Sequence, residues 1–185
     1  MIILILIIAA ICFIYFNVIP GKGHTICAWI SLAFVALTIV GIVEHDYSHY
    51  GMKTKVETSS HQLVSSVNPK LPILLYQPLG NGTEKVYLYK TDNLQKKPKT
   101  TSTDHTSIHV TRSSTPKVVI KTTRYVYKNS FNAFMFGVFG HNNEFKKRQY
   151  NFYVPKNWQV LSTSQLKTLQ ARMKKMEAQT KLMHE

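Results

Sequence analysis

The segment EHDYSHY, residues 44–50, places two histidines and two carboxylates within one short stretch. If the apolar helix before it continues through the segment, His45 and His49 share a helix face at the i, i+4 spacing that zinc ligands use. The segment lacks the HExxH pattern and a nearby further ligand. The simpler interpretation is an interfacial collar, with Tyr47 and Tyr50 at the headgroup level of a membrane. We favour the collar and keep His45 and His49 as a minor metal candidate.

A second set of candidate residues is basic. The stretches KVYLYK, TTRYVYK and KKRQYNFYV interleave tyrosine with Lys or Arg, which could stack bases and follow phosphates. The same pattern is typical of the solvent face of any basic β-domain, where tyrosine favours strands and lysine protects an edge. No RNA-binding signature accompanies it, so nucleic acid is the less favoured partner. The predicted contacts to an anionic surface are Lys96, Lys97, Lys99, Lys121, Arg124, Lys146, Lys147 and Arg148.

The sequence contains no nucleophile elbow, no P-loop and no dinucleotide fingerprint. We therefore predict no cofactor and favour a non-enzymatic envelope module that binds or assembles at an anionic surface. The alternative is a membrane-tethered enzyme whose site is built from residues distant in sequence.

Charge is distributed unevenly along the 185 residues. Residues 1–43 carry one charged side chain, Lys22, whereas residues 44–185 hold the other 22 basic and all nine acidic residues, a formal net charge of +13. This asymmetry indicates an anionic partner, for which anionic lipid and a cell-wall polymer are the predicted classes.

Two apolar segments, Ile2–Ile19 and Thr25–Val43, flank the turn VIPGKGHTI. Each is about long enough to cross the ~30 Å hydrocarbon core as a helix. The hydroxyls of Ser31 and Thr38 can bond to carbonyls one turn earlier. No basic n-region precedes the first segment, so a retained two-helix transmembrane hairpin is favoured over a cleaved signal.

The orientation of this hairpin rests on few charges. Lys22 in the turn, set against Glu44 and Asp46 after the second helix, favours a cytoplasmic turn with both termini outside, by a margin of one charge. A wider window includes Lys53 and Lys55 and reverses the balance. The resulting prediction is a two-helix plasma-membrane protein with an extracytoplasmic domain.

Beyond Gly51 the pattern changes to that of β-strands. Leu74–Gln77 with Glu84–Tyr89, and Ser107–Arg112 with Lys117–Lys128, predict two β-hairpins. The apolar segment Phe131–Phe139 is expected to supply much of the core. Together with Glu144–Val154 these strands predict a mainly antiparallel sheet, folded as a small sandwich or barrel.

The C-terminal region predicts an amphipathic helix. Ser162 and Gln165 form a capping box, and an apolar stripe at heptad spacing follows: Leu166, Leu169, Met173, Met176, Thr180 and Met183. Three placements remain open: packing on the β-domain, which we favour, lying on an anionic membrane, or forming a coiled coil with a second copy.

The predicted fold class is therefore a membrane α-helical hairpin followed by an α+β extramembrane domain. Its parts are the hairpin at 1–43, a collar and linker at 44–60, a basic antiparallel β-domain at 61–160 and the amphipathic helix at 162–184, through which homo-oligomers could form.

Three stretches, HDYSHYGMK (45–53), LLYQPLGNGTEKVYLYKTDNLQKKPKTTSTDH (74–105) and KTTRYVYKN (121–129), resemble an uncharacterised family of small two-helix membrane proteins from lactic acid bacteria, a domain of unknown function. The resemblance extends over most of the chain, although the family has a longer lysine-rich tail. It implies the same layout of hairpin and domain, and it implies no activity, ligand or catalytic residue.

Overall fold

The computed structural model of the chain describes residues 1–67, 71–80 and 83–182. The helices are α1 Ile2–Val18, α2 His24–Ser48, α3 Ser130–Phe136 and α4 Thr163–Leu182, and a single 3-10 turn, Gly137–Phe139, follows α3. The strands are β1 Met52–Gln62, β2 Ile73–Leu79, β3 Glu84–Tyr89, β4 Lys99–Thr100, β5 Thr106–Arg112, β6 Lys117–Tyr127, β7 Glu144–Val154 and β8 Gln159–Ser162.

The strands form two four-stranded sheets, in the orders β1-β6-β7-β5 and β4-β3-β2-β8. By its internal contacts the chain divides into two units: residues 1–56 with 123–146, and residues 57–122 with 147–185. Strands β1, β6 and β7 contribute residues to both units. The fold is therefore α+β, as predicted.

In the first unit, α1 and α2 are joined by a short turn and pack against each other. Small side chains of α2, including Ala28 and Ser31, are buried, which lets two helices approach closely. Gly23 takes the left-handed conformation, with φ of +85°, where α2 begins. The hydroxyls of Ser31 and Thr38 donate to the carbonyls of Cys27 and Phe34, both at 2.9 Å, as predicted.

Among the described residues, α2 is the one helix that is long and apolar enough to cross a membrane, and α1 is a shorter apolar helix. Large apolar side chains of α2 are exposed, Trp29 and Leu37 among them. These properties are consistent with membrane association.

In the second unit, the core contains side chains from both sheets. Leu74 of β2 and Tyr87 of β3 belong to it, as do Val118 of β6 and Phe152 of β7. The remaining buried members are Leu63, Tyr89, Tyr150, Val154 and Trp158. The β2–β3 hairpin is antiparallel, with Leu75 opposite Leu88, and confirms the first predicted hairpin. Its loop tip, residues 81 and 82, lies outside the described residues.

The prediction of a second hairpin, formed by β5 and β6, is wrong. In the sheet order β7 lies between β6 and β5, and β5 pairs in parallel with β7, Ile108 opposite Tyr150. Strand β7 buries three side chains in the core, whereas β5 is largely exposed and occupies an edge. The more apolar strand therefore takes the inner position. Strands β2 and β8 also pair in parallel, so the sheets are mixed rather than mainly antiparallel. The described strands close no barrel, and the sandwich stays a prediction.

The apolar segment Phe131–Phe139 does not supply the core that its composition predicted. It forms α3 and the 3-10 turn, in which only Phe136 is buried. Asn129 caps the helix, because its side chain accepts a hydrogen bond from the Asn132 N–H at 2.9 Å. The stretch predicted as a linker, residues 44–60, contains most of β1, whose polar side chains show no apolar alternation.

The capping box predicted at the start of α4 is present. Gln165 donates its N–H to the Ser162 hydroxyl at 3.1 Å, and Ser162 donates its N–H to the Gln165 side chain at 2.8 Å. Leu166 and Leu169 are half-buried, whereas Met173 and Met176 are exposed. Residues 183 and 184 of the predicted helix lie outside the described residues. Self-association through 162–184 stays a prediction.

We expect Phe152→Ala to destabilise the second unit by about 3–5 kcal/mol, because the ring is fully buried and its loss leaves a cavity. Phe131→Ala is the matched control, since that ring is 66% exposed. Thermal unfolding of the detergent-solubilised chain, followed by the fluorescence of the buried Trp158 in a Trp29→Phe background, measures both. Equal midpoints for the two variants would contradict the assignment of the core.

A second prediction concerns Tyr89. Burial, with a smaller contribution from neighbouring Tyr150, raises the pKa of its phenol from 10.0 to about 12. The unfolded chain therefore loses this proton before the folded chain does, so stability is retained below pH 10 and falls as the pH rises towards about 12. Between pH 10 and about 12, the urea concentration at the midpoint of unfolding should decline less in Tyr89→Phe than in wild type. In Tyr47→Phe, which removes an exposed phenol, this midpoint should decline as it does in wild type.

Candidate functional site

The imidazole of His45 is the centre of a cluster of aromatic rings in the first unit. His45 lies near the end of α2 and is only 1% exposed. Its ring stacks on Phe136 with centroids 4.2 Å apart, and the rings of His141 and Phe139 lie at 5.4 and 5.7 Å. His45 is thus enclosed by the residues of α3, the 3-10 turn and His141 that follow β6.

The end of α2 sets the position of this ring. His49 takes the left-handed conformation, with φ of 55°, and the Tyr50 N–H bonds back to the Glu44 carbonyl at 3.1 Å. Because the helix ends at Ser48, His49 leaves the helical face that an i, i+4 pair would share. His49 thus occupies the C-cap position rather than the helix interior, and the metal candidate His45 with His49 stays a prediction.

His45 keeps one ring nitrogen without a partner. Nδ1 lies 2.8 Å from the Tyr50 carbonyl, an arrangement in which Nδ1 carries the proton and donates it. Nε2 is buried and has no hydrogen-bond partner among the described residues. In this tautomer Nε2 is an acceptor that faces aromatic rings. Leaving Nε2 without a hydrogen bond lowers the stability of the fold, whereas the flat imidazole ring can stack on its aromatic neighbours.

Two histidine–carboxylate pairs surround the cluster. His141 Nε2 lies 3.9 Å from Asp46 Oδ1, and His49 Nε2 lies 4.0 Å from Glu144 Oε2. Both distances exceed a hydrogen bond, and partly exposed pairs of this kind contribute at most about 1 kcal/mol. Among the described residues, no group of three or more His, Cys, Asp or Glu side chains could hold a metal ion.

Tyr127 adds a partly buried polar group beside His45. Its ring lies 6.0 Å from the imidazole, and its hydroxyl donates to the Phe136 carbonyl at 3.0 Å. Burial raises the pKa of the Tyr127 phenol, against a smaller opposing effect from a hydrogen bond of the His141 backbone. The phenol therefore stays protonated and holds the end of α3 in place.

Two of the eight predicted anion-contact residues belong to the first unit. Lys146 Nζ lies 4.7 Å from the centroid of Tyr125, and that ring stacks on His49 at 3.8 Å. Arg124 donates to the Asn143 carbonyl at 2.9 Å. Both cations therefore have local structural contacts.

The other six lie in the second unit, in different settings. Lys96 and Lys97 are exposed in the loop before β4, and Lys99 is exposed on β4 itself. Lys121 of β6 and Lys147 of β7 are also exposed.

Arg148 stands apart from these lysines. On β7 it precedes the buried Tyr150 and Phe152 by even steps, so it has the core-facing register, and its Nε donates to Thr122 Oγ1 at 3.3 Å. Arg148 therefore lies at the margin of the core.

Sequence reasoning missed two sets of residues. Lys117 Nζ lies 5.1 Å from the centroid of Tyr153, so this lysine joins Lys121 and Lys147 on one sheet face. The alternation of β6 and β7 in the sequence could have found it. Phe136 and His141 were missed because their partner, His45, is more than ninety residues away, and no local pattern reports that contact.

The comparisons with known proteins give one match. A family model described as a domain of unknown function (DUF4811) matches residues 21–169. Neither the curated proteins nor the solved structures yield a match to the chain.

We expect Phe136→Ala to release α3 from the end of α2, because Phe136 is the buried ring against which His45 stacks. A lost core aromatic typically costs about 3–5 kcal/mol, so amide exchange in Ser130–Phe136 should accelerate at least ~100-fold. Hydrogen exchange with mass spectrometry on the full chain measures this. Tyr47→Ala removes an exposed ring at the same end of α2 and should leave exchange in α3 unchanged. Wild-type exchange in Phe136→Ala would refute the anchoring role.

Proposed function

The chain belongs to the DUF4811 family, a domain of unknown function, and on that premise we propose that it is a non-enzymatic membrane module. In this proposal a two-helix hairpin anchors the chain in the plasma membrane, and the second unit binds a phosphate-bearing anionic partner. The phosphate belongs either to a lipid headgroup or to an anionic envelope polymer.

The anchor is supported by the length and surface of the two apolar helices. At the helical rise of about 1.5 Å per residue, the 25 residues of α2 exceed the thickness of a ~30 Å hydrocarbon core, and the 17 of α1 approach it. A packed pair can span together, because the shorter helix is accommodated by local thinning or by its flanking residues. The one-charge margin at Lys22 favours a cytoplasmic turn and an extracytoplasmic domain.

The binding function rests on one observation: on the outward face of β5, β6 and β7 in this unit, the ionic groups are all cationic. The second unit carries 17 of the 23 basic residues and six of the nine acidic ones, a formal net charge of +11. Residues that alternate with the core positions of β5, β6 and β7 face away from the core. In this unit they are Lys117, Val119, Lys121, Lys147, Gln149, Asn151, Tyr153, Ser107, His109 and Thr111, without an Asp or Glu.

We call Lys117, Lys121 and Lys147 the sheet lysines. Each Lys near an anionic surface contributes about 1 kcal/mol, and the attraction fades over a Debye length of roughly 8 Å at physiological salt. Three such residues on one rigid face can therefore change binding by up to about 100-fold. Rigid strands also present the charges at a fixed spacing, which a flexible loop does not.

The test uses the full chain in nanodiscs of neutral lipid. Its binding is measured to vesicles rich in anionic lipid, to soluble poly(glycerol phosphate) and to neutral vesicles. We expect binding to at least one anionic probe that weakens as salt rises. Changing the sheet lysines to Gln should weaken it by roughly 10- to 100-fold.

The matched control changes Lys96, Lys97 and Lys99 to Gln, which removes the same charge from the loop and β4. We expect this variant to lose much less affinity for the anionic probe, because these side chains are not part of the sheet face. Equal losses of affinity in the two triple variants would refute the proposal that the sheet lysines form a binding face. Equal binding to neutral and anionic vesicles, with none to the polymer, would refute the electrostatic function.

A further inference from the structure

Three apolar side chains of the α3 segment point away from the protein. Phe131, Phe134 and Val138 are 66%, 62% and 64% exposed, although their neighbour Phe136 is buried. We call these three residues the α3 patch. A cluster of exposed apolar side chains on α3 and its 3-10 turn is typical of a surface that contacts an apolar environment outside the fold.

The contacts of α3 place the patch at one end of the apolar helices. The Met1 nitrogen donates to the carbonyls of Phe134 and Met135 at 3.0 and 2.9 Å. On the same segment, Phe136 stacks on His45 near the end of α2. The start of α1 and the end of α2 therefore both meet the α3 segment.

From this geometry we propose that the α3 patch inserts into the interfacial layer of the bilayer that α2 crosses. The inference rests on the membrane anchor proposed above and assigns a lipid contact to a segment outside the two helices. If α2 spans the bilayer, α3 lies at the level where the span ends, and the apolar faces of interfacial helices bury Trp, Phe and Leu side chains at that depth.

Continuity of the apolar surface favours lipid. Leu4, one turn into α1, is exposed, and so is Val43, in the last turns of α2. Because α3 is bonded to Met1 and packed on His45, the patch extends the apolar surface of these helices rather than forming an isolated site. Exposed Tyr47 and Tyr50, at the same end of α2, add amphipathic side chains suited to the headgroup layer.

The size of the patch argues against a protein partner. At about 200 Å² for a complete aromatic side chain, the three residues expose roughly 400 Å² together. A stable protein interface needs about 800 Å² on each partner. A bilayer has no such minimum, since each apolar side chain gains independently from leaving water.

The test measures depth in the bilayer with the full chain in phosphatidylcholine vesicles. A bimane fluorophore is attached to Phe134→Cys in a background with Cys12→Ala and Cys27→Ala. Nitroxide lipids carry the quencher near the headgroup or near the chain end. Two controls use the same background: Lys128→Cys, exposed just before α3, and Leu37→Cys, 67% exposed within α2.

We expect the Phe134 label to be quenched by the shallow nitroxide, roughly twofold more strongly than the Lys128 label. The Leu37 label should respond best to the deep nitroxide. Adding Phe131→Ser and Val138→Ser should reduce the shallow quenching at position 134, because the patch then loses most of its apolar contact. These exposed positions can change without disturbing the buried contacts of Phe136.

Three results would overturn the inference. If the Leu37 label is quenched and the Phe134 label is not, the anchor stands and the α3 contact is refuted. If Phe134→Cys instead cross-links two copies and is shielded from both nitroxides, the patch is an interface between copies. Absence of quenching at Leu37 would refute the membrane anchor itself.

Discussion

The stacking of His45 on Phe136 is the contact on which the rest of the first unit depends. Where an apolar helix ends beside polar residues, the side chains at its end must pack against apolar groups and also form hydrogen bonds. An imidazole does so, because its flat face packs on an aromatic ring while Nδ1 donates to the Tyr50 carbonyl. Burying Nε2 without a partner is unfavourable because water is excluded from it, and the packing of the imidazole among the rings of Tyr127, Phe139 and His141 offsets part of that penalty.

Several other features follow from this one contact. Once Phe136 is held against His45, the carbonyls at the end of α3 lie within reach of Met1, and the Tyr127 hydroxyl donates to one of them. The outward side of α3 and of the 3-10 turn is then exposed, and it carries Phe131, Phe134 and Val138. The histidine–carboxylate pairs at the margin contribute much less, because they are long and partly exposed.

Local signals in the sequence predicted part of the fold well. The β2–β3 hairpin follows from alternating apolar residues around a turn-forming loop, and α4 begins at its capping box, since both are interactions between near neighbours in the chain. The β5–β6 hairpin failed for the opposite reason. A short turn between two strand-like segments suggests pairing, but the pairing of β5 with β7 is decided by which strand buries more apolar surface. Strand β1 was missed because an exposed polar strand has no alternation to detect.

Composition and charge, which are properties of the chain itself, were sufficient for the apolar helices and the basic excess, and three particular stretches of sequence were sufficient for the family resemblance. They do not report contacts between residues far apart in sequence. The α3 segment illustrates the limit: its apolar residues predicted a core, yet a helix of seven residues can bury only one face, and Phe136 occupies it. Which phenylalanine turns inward depends on where His45 stands, and that position exists only once α2 and the strands beside it have come together. Likewise, Lys117, Lys121 and Lys147 share a face because their strands lie in one sheet, whereas Arg148, equally basic in sequence, faces the core from the next position on β7.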